Sequence, residues 1–233
     1  MGRGLSEEAA RHGHSLLLVS TDGRDLAAIA ADLHLRFGVR AEYFICDFGA
    51  DPGQEGAVAA AAKRFGPIDA LLYPIGHAQQ DDNGLQDDRT ALSLVRINFL
   101  AQVSLTAALW PVLLERQHAF IVGFGSIASV RGRSRNVVYG AAKRALSNYF
   151  ESLRHLARGT NINIHFYQIG YLNTQQNFGK RLPFPKASPE SLARIVIKQL
   201  DRARGSVFYP WYWRPISLGL RFVPWFLYKR LQF

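Results

Sequence analysis

Short apolar runs alternate with amphipathic stretches along almost the whole sequence, and that rhythm leaves few folds open. The runs are Ser15–Ser20, Ala41–Cys46, Ala70–Tyr73, Ala119–Val122, Ile162–Gln168 and Val207–Tyr209. The helical stretches are Gly4–Arg11, Asp25–Phe37, Gln54–Phe65, Arg89–Glu115, Val137–Arg158 and Ser188–Arg204. Strands that are apolar on both faces, joined by helical crossovers, make a parallel sheet covered on both sides. The expected fold is therefore α/β, a Rossmann-like doubly wound parallel sheet. A length of 233 residues, without repeat or linker, fits a single domain. We divide it into residues 1–209 and a basic, aromatic tail, 210–233.

Local signals sharpen the outline. In Arg89–Glu115 the stripe Leu92, Val95, Phe99, Val103 and Ala107 has helical spacing and suits the sheet or a partner subunit. Pro111 should kink or weaken that helix. Ser188 and Pro189 are placed as cap and first residue of the last regular helix. No apolar run is expected to reach the length of a membrane span.

Composition excludes several chemistries. One cysteine, Cys46, rules out a disulfide framework and a multi-thiolate zinc site, and the 7 histidines lack metal-ligand spacing. The chain is expected in a reducing compartment, cytoplasmic, with peripheral membrane contact as one alternative. Its net charge of +10 is concentrated in Arg131, Arg133 and Arg135 and in the stretch Arg202–Phe233, which has no acid. Nucleic acid ranks low as a partner, because no recognition motif accompanies the charge.

The segment Ile121–Leu146 carries chemistry. Tyr139 and Lys143 are four residues apart and share a helix face. An ammonium beside a phenol lowers the phenol's pKa and makes it a general acid/base. Ser126, beyond a buried strand, could hold the same substrate oxygen. By spacing alone, a surface tyrosine and lysine fit equally well.

The segment resembles the short-chain dehydrogenase/reductase family, and the resemblance follows nearly the whole chain in order. It implies a catalytic set of Asn98, Ser126, Tyr139 and Lys143. It also implies hydride transfer between a nicotinamide and a carbonyl or secondary alcohol, with Tyr139 as proton donor in reduction. Cofactor contacts are implied for Gly2, Ser20, Thr21, Arg24, Asp47, Phe48, Gly76, Gly170, Leu172 and Thr174, together with Tyr139 and Lys143. Asp47 would contact the adenine; a strand-end turn residue is its plainer role. No carboxylate ends the run Ser15–Ser20 and Arg24 follows it, so NADP is expected over NAD, although Asp22 is near. A homodimer or homotetramer is implied, paired through Arg89–Glu115 and Val137–Arg158.

Departures from the family pattern are equally specific. Gly2 aligns with the last glycine of the TGxxxGxG turn, so the first strand and most of that turn are not in the sequence. Either the start as written lies downstream of a longer one, which the intact catalytic register favours, or the chain is a shortened, inactive copy. The NNAG segment reads Tyr73-Pro74-Ile75-Gly76, and the PG pair reads Ile169-Gly170. A non-catalytic scaffold that binds a partner or membrane is therefore the alternative to an enzyme.

The tail has three readings: a lid, a dimer contact or a membrane-surface segment. Arg131, Arg133 and Arg135 form either a solvated loop or a recognition site for an anionic substrate.

Overall fold

The computed structural model describes residues 1–50, 53–79, 81–174, 184–202 and 205–230. In order, its elements are α1 (Gly2–Arg11), β1 (Leu16–Ser20), α2 (Gly23–Phe37), β2 (Ala41–Ile45), α3 (Gln54–Phe65), β3 (Ala70–Tyr73), α4 (Asp88–Val95), α5 (Ala101–Leu114), β4 (Ala119–Ser126), α6 (Val137–Leu156), β5 (Ile162–Ile169), α7 (Pro189–Lys198), β6 (Ser206–Tyr209), α8 (Trp213–Phe222) and α9 (Trp225–Tyr228). The expected Rossmann-like α/β alternation is present. The last three residues of the tail lie outside the described residues.

Every strand pairing is parallel, and the strands form two groups, β1-β2 and β3-β4-β5-β6. Among the described residues β1 pairs only with β2, and β3 only with β4.

The four-stranded sheet is packed on both faces. Alternate residues of β4 point to opposite sides, so Ile121 joins a core with Leu105, Leu146 and Phe150, whereas Val122 and Phe124 join another with Leu5, Leu192 and Val196. The first layer comes from α3, α5 and α6, the second from α1 and α7. A third cluster, built around Leu18, Leu26 and Leu33, seats α2 on β1. Burying each such side chain contributes about 1.5–3 kcal/mol.

The longest helix departs from expectation three times. Its sheet-facing side is Leu94, Asn98, Ala101, Leu105, Leu109 and Leu113, all buried, whereas Leu92 and Ala107 of the predicted stripe are exposed. The irregularity falls at a π-helical turn, Arg96–Leu100, between α4 and α5, and α5 continues past Pro111 to Leu114. Taken as one helix, Asp88–Leu114 is also, by length and composition, long and apolar enough to cross a membrane, contrary to the expectation of no such run. Here it packs on the sheet and buries Asn98, Gln102 and Thr106.

Candidate active site

The C-terminal ends of β3 and β4 bring the predicted catalytic groups to one place. β4 delivers Ser126, and its side chain accepts from Ala128 N (3.2 Å) as the chain turns into a short 3-10 segment. The Ser126 hydroxyl also lies near enough to the Tyr139 phenol, on the first turn of α6, to favour its ionised form. One turn on, the buried Lys143 Nζ donates to Ile75 O (3.0 Å) and Phe124 O (3.2 Å), which links the ends of β3 and β4. Asn98, fully buried in the π turn, donates Nδ2 to His77 O (2.7 Å) and Leu94 O (2.9 Å) and accepts from His77 N at Oδ1 (3.1 Å). Lys143 and Asn98 thus grip the segment Ile75–His77 from two sides. Gly76 lies between them. A Cβ there would sit 3.2 Å from Lys143 Nζ and 3.3 Å from Asn98 Oδ1, so a side chain would press on both.

The electrostatics differ from the sequence expectation. Burial pushes the Tyr139 phenol up, and the groups that oppose the rise are the Ser126 hydroxyl and the Arg133 charge, rather than Lys143. Burial lowers the Lys143 ammonium to about 7. Tyr139 is therefore a protonated phenol at neutral pH, and Lys143 is close to its own midpoint.

Asp82 is a residue of the site that the sequence did not single out. Asn136 precedes α6 with φ 56° and gives no side-chain cap. Asp82 supplies the cap from another loop, accepting from Val138 N (3.0 Å) and Tyr139 N (2.9 Å). Gln86 Nε2 donates to the same carboxylate (2.7 Å). These hydrogen bonds hold the Asp82 carboxyl below its ordinary range, although burial works the other way. The partner is 56 residues distant, so no local pattern marks it.

The predicted cofactor contacts form a second group. A solvent-open pocket of about 710 Å³ at the ends of β1 and β2 is lined by Thr21, Asp22, Gly23, Arg24, Tyr43 and Ile45, among others. Ser20 is exposed at the end of β1. Asp22 caps α2, its Oδ1 accepting from Arg24 N (3.0 Å) and Asp25 N (3.3 Å), while the Arg24 side chain is 98% exposed. Asp47, also exposed, turns its carboxylate back to Gly49 N (2.8 Å). The side chains of Phe48 and Leu172 belong to the core, which leaves only their backbones for a ligand. Gly2 opens α1 beside Pro74, and Tyr73 buries its ring and pairs its hydroxyl with Thr106 (3.1 Å). Thr174 N donates to Leu172 O (3.0 Å). Gly170 lies under the buried Trp213 indole; a Cβ there would come within 2.6 Å of three indole atoms.

The three loop arginines separate. Arg131 donates to Leu220 O (2.7 Å) and to Val223 O, and its guanidinium lies 3.9 Å from the centre of the Tyr228 ring. Its hydrogen bonds thus go to the tail. Arg133 acts on the phenol, and Arg135 is exposed.

Residues 1–181 match the short chain dehydrogenase family. An uncharacterized oxidoreductase of Mycobacterium tuberculosis is 27% identical over 221 residues, covering 94% of this chain and 88% of that protein. A hydroxysteroid 11-beta-dehydrogenase 1-like protein of Xenopus laevis is 26% identical over 219 residues, covering 91% of this chain and 75% of that protein. Among solved structures, a short-chain dehydrogenase from Sphingobium yanoikuyae in complex with NADPH has a similar fold, with a TM-score of 0.82 at 23% identity, covering 98% of this chain and 91% of that one.

Proposed function

Because this chain belongs to the short-chain dehydrogenase/reductase family, we propose that it reduces a carbonyl to a secondary alcohol with a nicotinamide cofactor, NADP in preference to NAD. The observation that carries the proposal is the meeting of Ser126, Tyr139, Lys143 and Asn98 around the end of β3.

When bound, the cofactor supplies the hydride. The chain's own groups handle the oxygen and its proton. Ser126 orients the substrate oxygen toward the phenol by hydrogen bonding. Tyr139 keeps its proton at neutral pH because it is buried, and donates it as negative charge develops on that oxygen. Arg133 favours the phenolate left behind, which lowers the cost of the transfer. Lys143 and Asn98 fix the Ile75–His77 turn, and Lys143 is the group placed to hold a ribose hydroxyl.

The residues present fit a dinucleotide. The missing side chain at Gly76 leaves backbone open beside Lys143 and Asn98. The pocket at Thr21–Arg24 offers an exposed guanidinium, and the Asp22 carboxylate beside it, 4.0 Å from Arg24 Nε, turns its Oδ1 to capping α2. An arginine in that position suits the 2′-phosphate of NADP, whereas NAD binding favours an acid on the ribose hydroxyl.

Titration by nicotinamide fluorescence tests the proposal. NADPH should bind at least about tenfold more tightly than NADH, one charge-assisted contact being worth that much. Arg24→Ala should remove most of the difference by weakening NADPH alone. Equal affinities in the unaltered protein would refute the NADP preference, and no binding of either nucleotide would refute the enzyme mechanism.

A further inference from the structure

The C-terminal helices hold apolar side chains in solvent that the catalytic site does not use. Leu218 is 57% exposed, Phe222 77%, Trp225 67% and Phe226 59%. Leu218 and Phe222 are one helical turn apart, on the side of α8 away from the buried Trp213 and Ser217. Pro224 then redirects the chain into α9, where Trp225 and Phe226 are exposed and Tyr228 is buried.

This display is anchored. Tyr228 donates its hydroxyl to Gly132 O (2.8 Å), and Arg131 grips the end of α8 through Leu220 O and Val223 O while stacking on Tyr228. The aromatic residues are thus presented on a fixed base, which reduces the ordering cost of any contact they make.

Charge selects the partner. Arg214, Arg221, Lys229 and Arg230 are all exposed around these residues, and no acid occurs from Arg202 to Phe233. Among the described residues none of the four forms an ion pair. Pairing two copies through this face would oppose cation to cation, an arrangement that specific interfaces avoid. An anionic bilayer meets both requirements: rings enter the headgroup region while cations meet lipid phosphates. At 10 residues α8 is far too short to span and would lie along the surface.

We propose that α8 and α9 form a docking surface for an anionic lipid bilayer. The assignment is independent of the redox reading, because it uses none of the catalytic groups.

The test uses the full chain with vesicles of phosphatidylcholine, alone or mixed with phosphatidylglycerol. Sedimentation should show binding to the mixed vesicles that weakens as salt rises, and brominated lipid should quench tryptophan emission. The double variant Phe222→Ser/Trp225→Ser should abolish sedimentation. Arg221→Gln/Arg230→Gln should weaken it by about 25-fold, at about fivefold per cation. Both variants change exposed positions, and unaltered thermal melts confirm that they fold. Binding that survives Phe222→Ser/Trp225→Ser, or that is equally tight on neutral vesicles, overturns the proposal. So does the absence of vesicle binding together with a dimer that the aromatic substitutions dissociate, which would make a second copy the occupant.

Discussion

Asp82→Ala removes the one carboxylate that closes the start of α6, and the structure allows the loss to be sized. The carboxylate is buried, with 2% of the residue exposed, and it serves Val138 N, Tyr139 N and Gln86 Nε2 at once. Each buried donor left unpaired costs about 1–3 kcal/mol, and a negative charge at a helix N-terminus adds about 0.3–1 kcal/mol. The start of α6 at Val138 is only half-buried, so water can recover part of the loss. The net cost should be about 2–4 kcal/mol. For a domain of this size that corresponds to a fall in Tm of about 5–15 °C. Asp82→Asn keeps one acceptor and should cost roughly half as much. The pH dependence has a definite sign. Because the folded carboxyl titrates below its ordinary value, its contribution is present above the usual carboxylate range and is lost as pH falls through the folded pKa. The gap between the wild type and Asp82→Asn should therefore close in strong acid. Thermal melts followed by circular dichroism measure all three quantities. Asp82→Ala within about 0.5 kcal/mol of the wild type, the scatter of ordinary surface substitutions, would refute the capping argument.

Two further consequences can be measured independently. Lys143 titrates near 7 when folded and near 10.5 when unfolded, so the folded state gains stability from this group as pH rises from 7 toward 10.5. Relative to Lys143→Met, the wild type should gain about 2 kcal/mol between about pH 7 and pH 9. The buried Cys46 thiol, pushed up to about 11, acts in the opposite direction above about pH 9, but both proteins carry it and its effect cancels in the comparison. Parallel pH curves for the two proteins would contradict the burial of a free ammonium. Gly170→Ala should expel Trp213, since the new Cβ would fall 1.9 Å from the indole Nε1. The expected cost is about 1–3 kcal/mol, together with a red-shifted tryptophan emission; an unchanged spectrum would show that the contact is absent in solution.

How much of this could be read from the sequence depends on how locally each feature is determined. The strand–helix alternation is legible because a parallel strand buried on both faces must be apolar throughout and must be followed by a crossover. Spacing within one segment put Tyr139 and Lys143 on one helix face with Ser126 shortly before them, whereas Asn98, and the reading of the four as a catalytic set, came from the family resemblance. The end of β4 was not legible. Gly123 and Gly125 resemble turn residues, yet the strand runs through them to Ser126, in register with β5 as far as Ile169. The long helix is apolar on more than one side, so its pattern could not tell the face on the sheet from the face beyond it. Asp82 and Arg131 are tertiary features. One caps a helix 56 residues away, and the other holds carbonyls 89 and 92 residues away. A sequence window shows only an acid in an acidic loop and an arginine in a basic one. Lys143 misled for a similar reason. Its sequence neighbourhood suggests a cation that primes the phenol, whereas its folded position, buried against two backbone carbonyls, lowers its own pKa instead.

The central claim is that Tyr139 delivers a proton to a substrate oxygen at a site that accepts NADPH. The direct measurement is NADPH oxidation over a panel of aliphatic, cyclic and aromatic ketones, comparing the wild type with Tyr139→Phe, each first shown by fluorescence to bind NADPH. The account predicts turnover of at least one ketone by the wild type and a loss of about 100-fold or more in kcat on removing the phenolic hydroxyl, with nucleotide affinity little changed. A Tyr139→Phe protein that turns over the same ketone at the wild-type rate would contradict it.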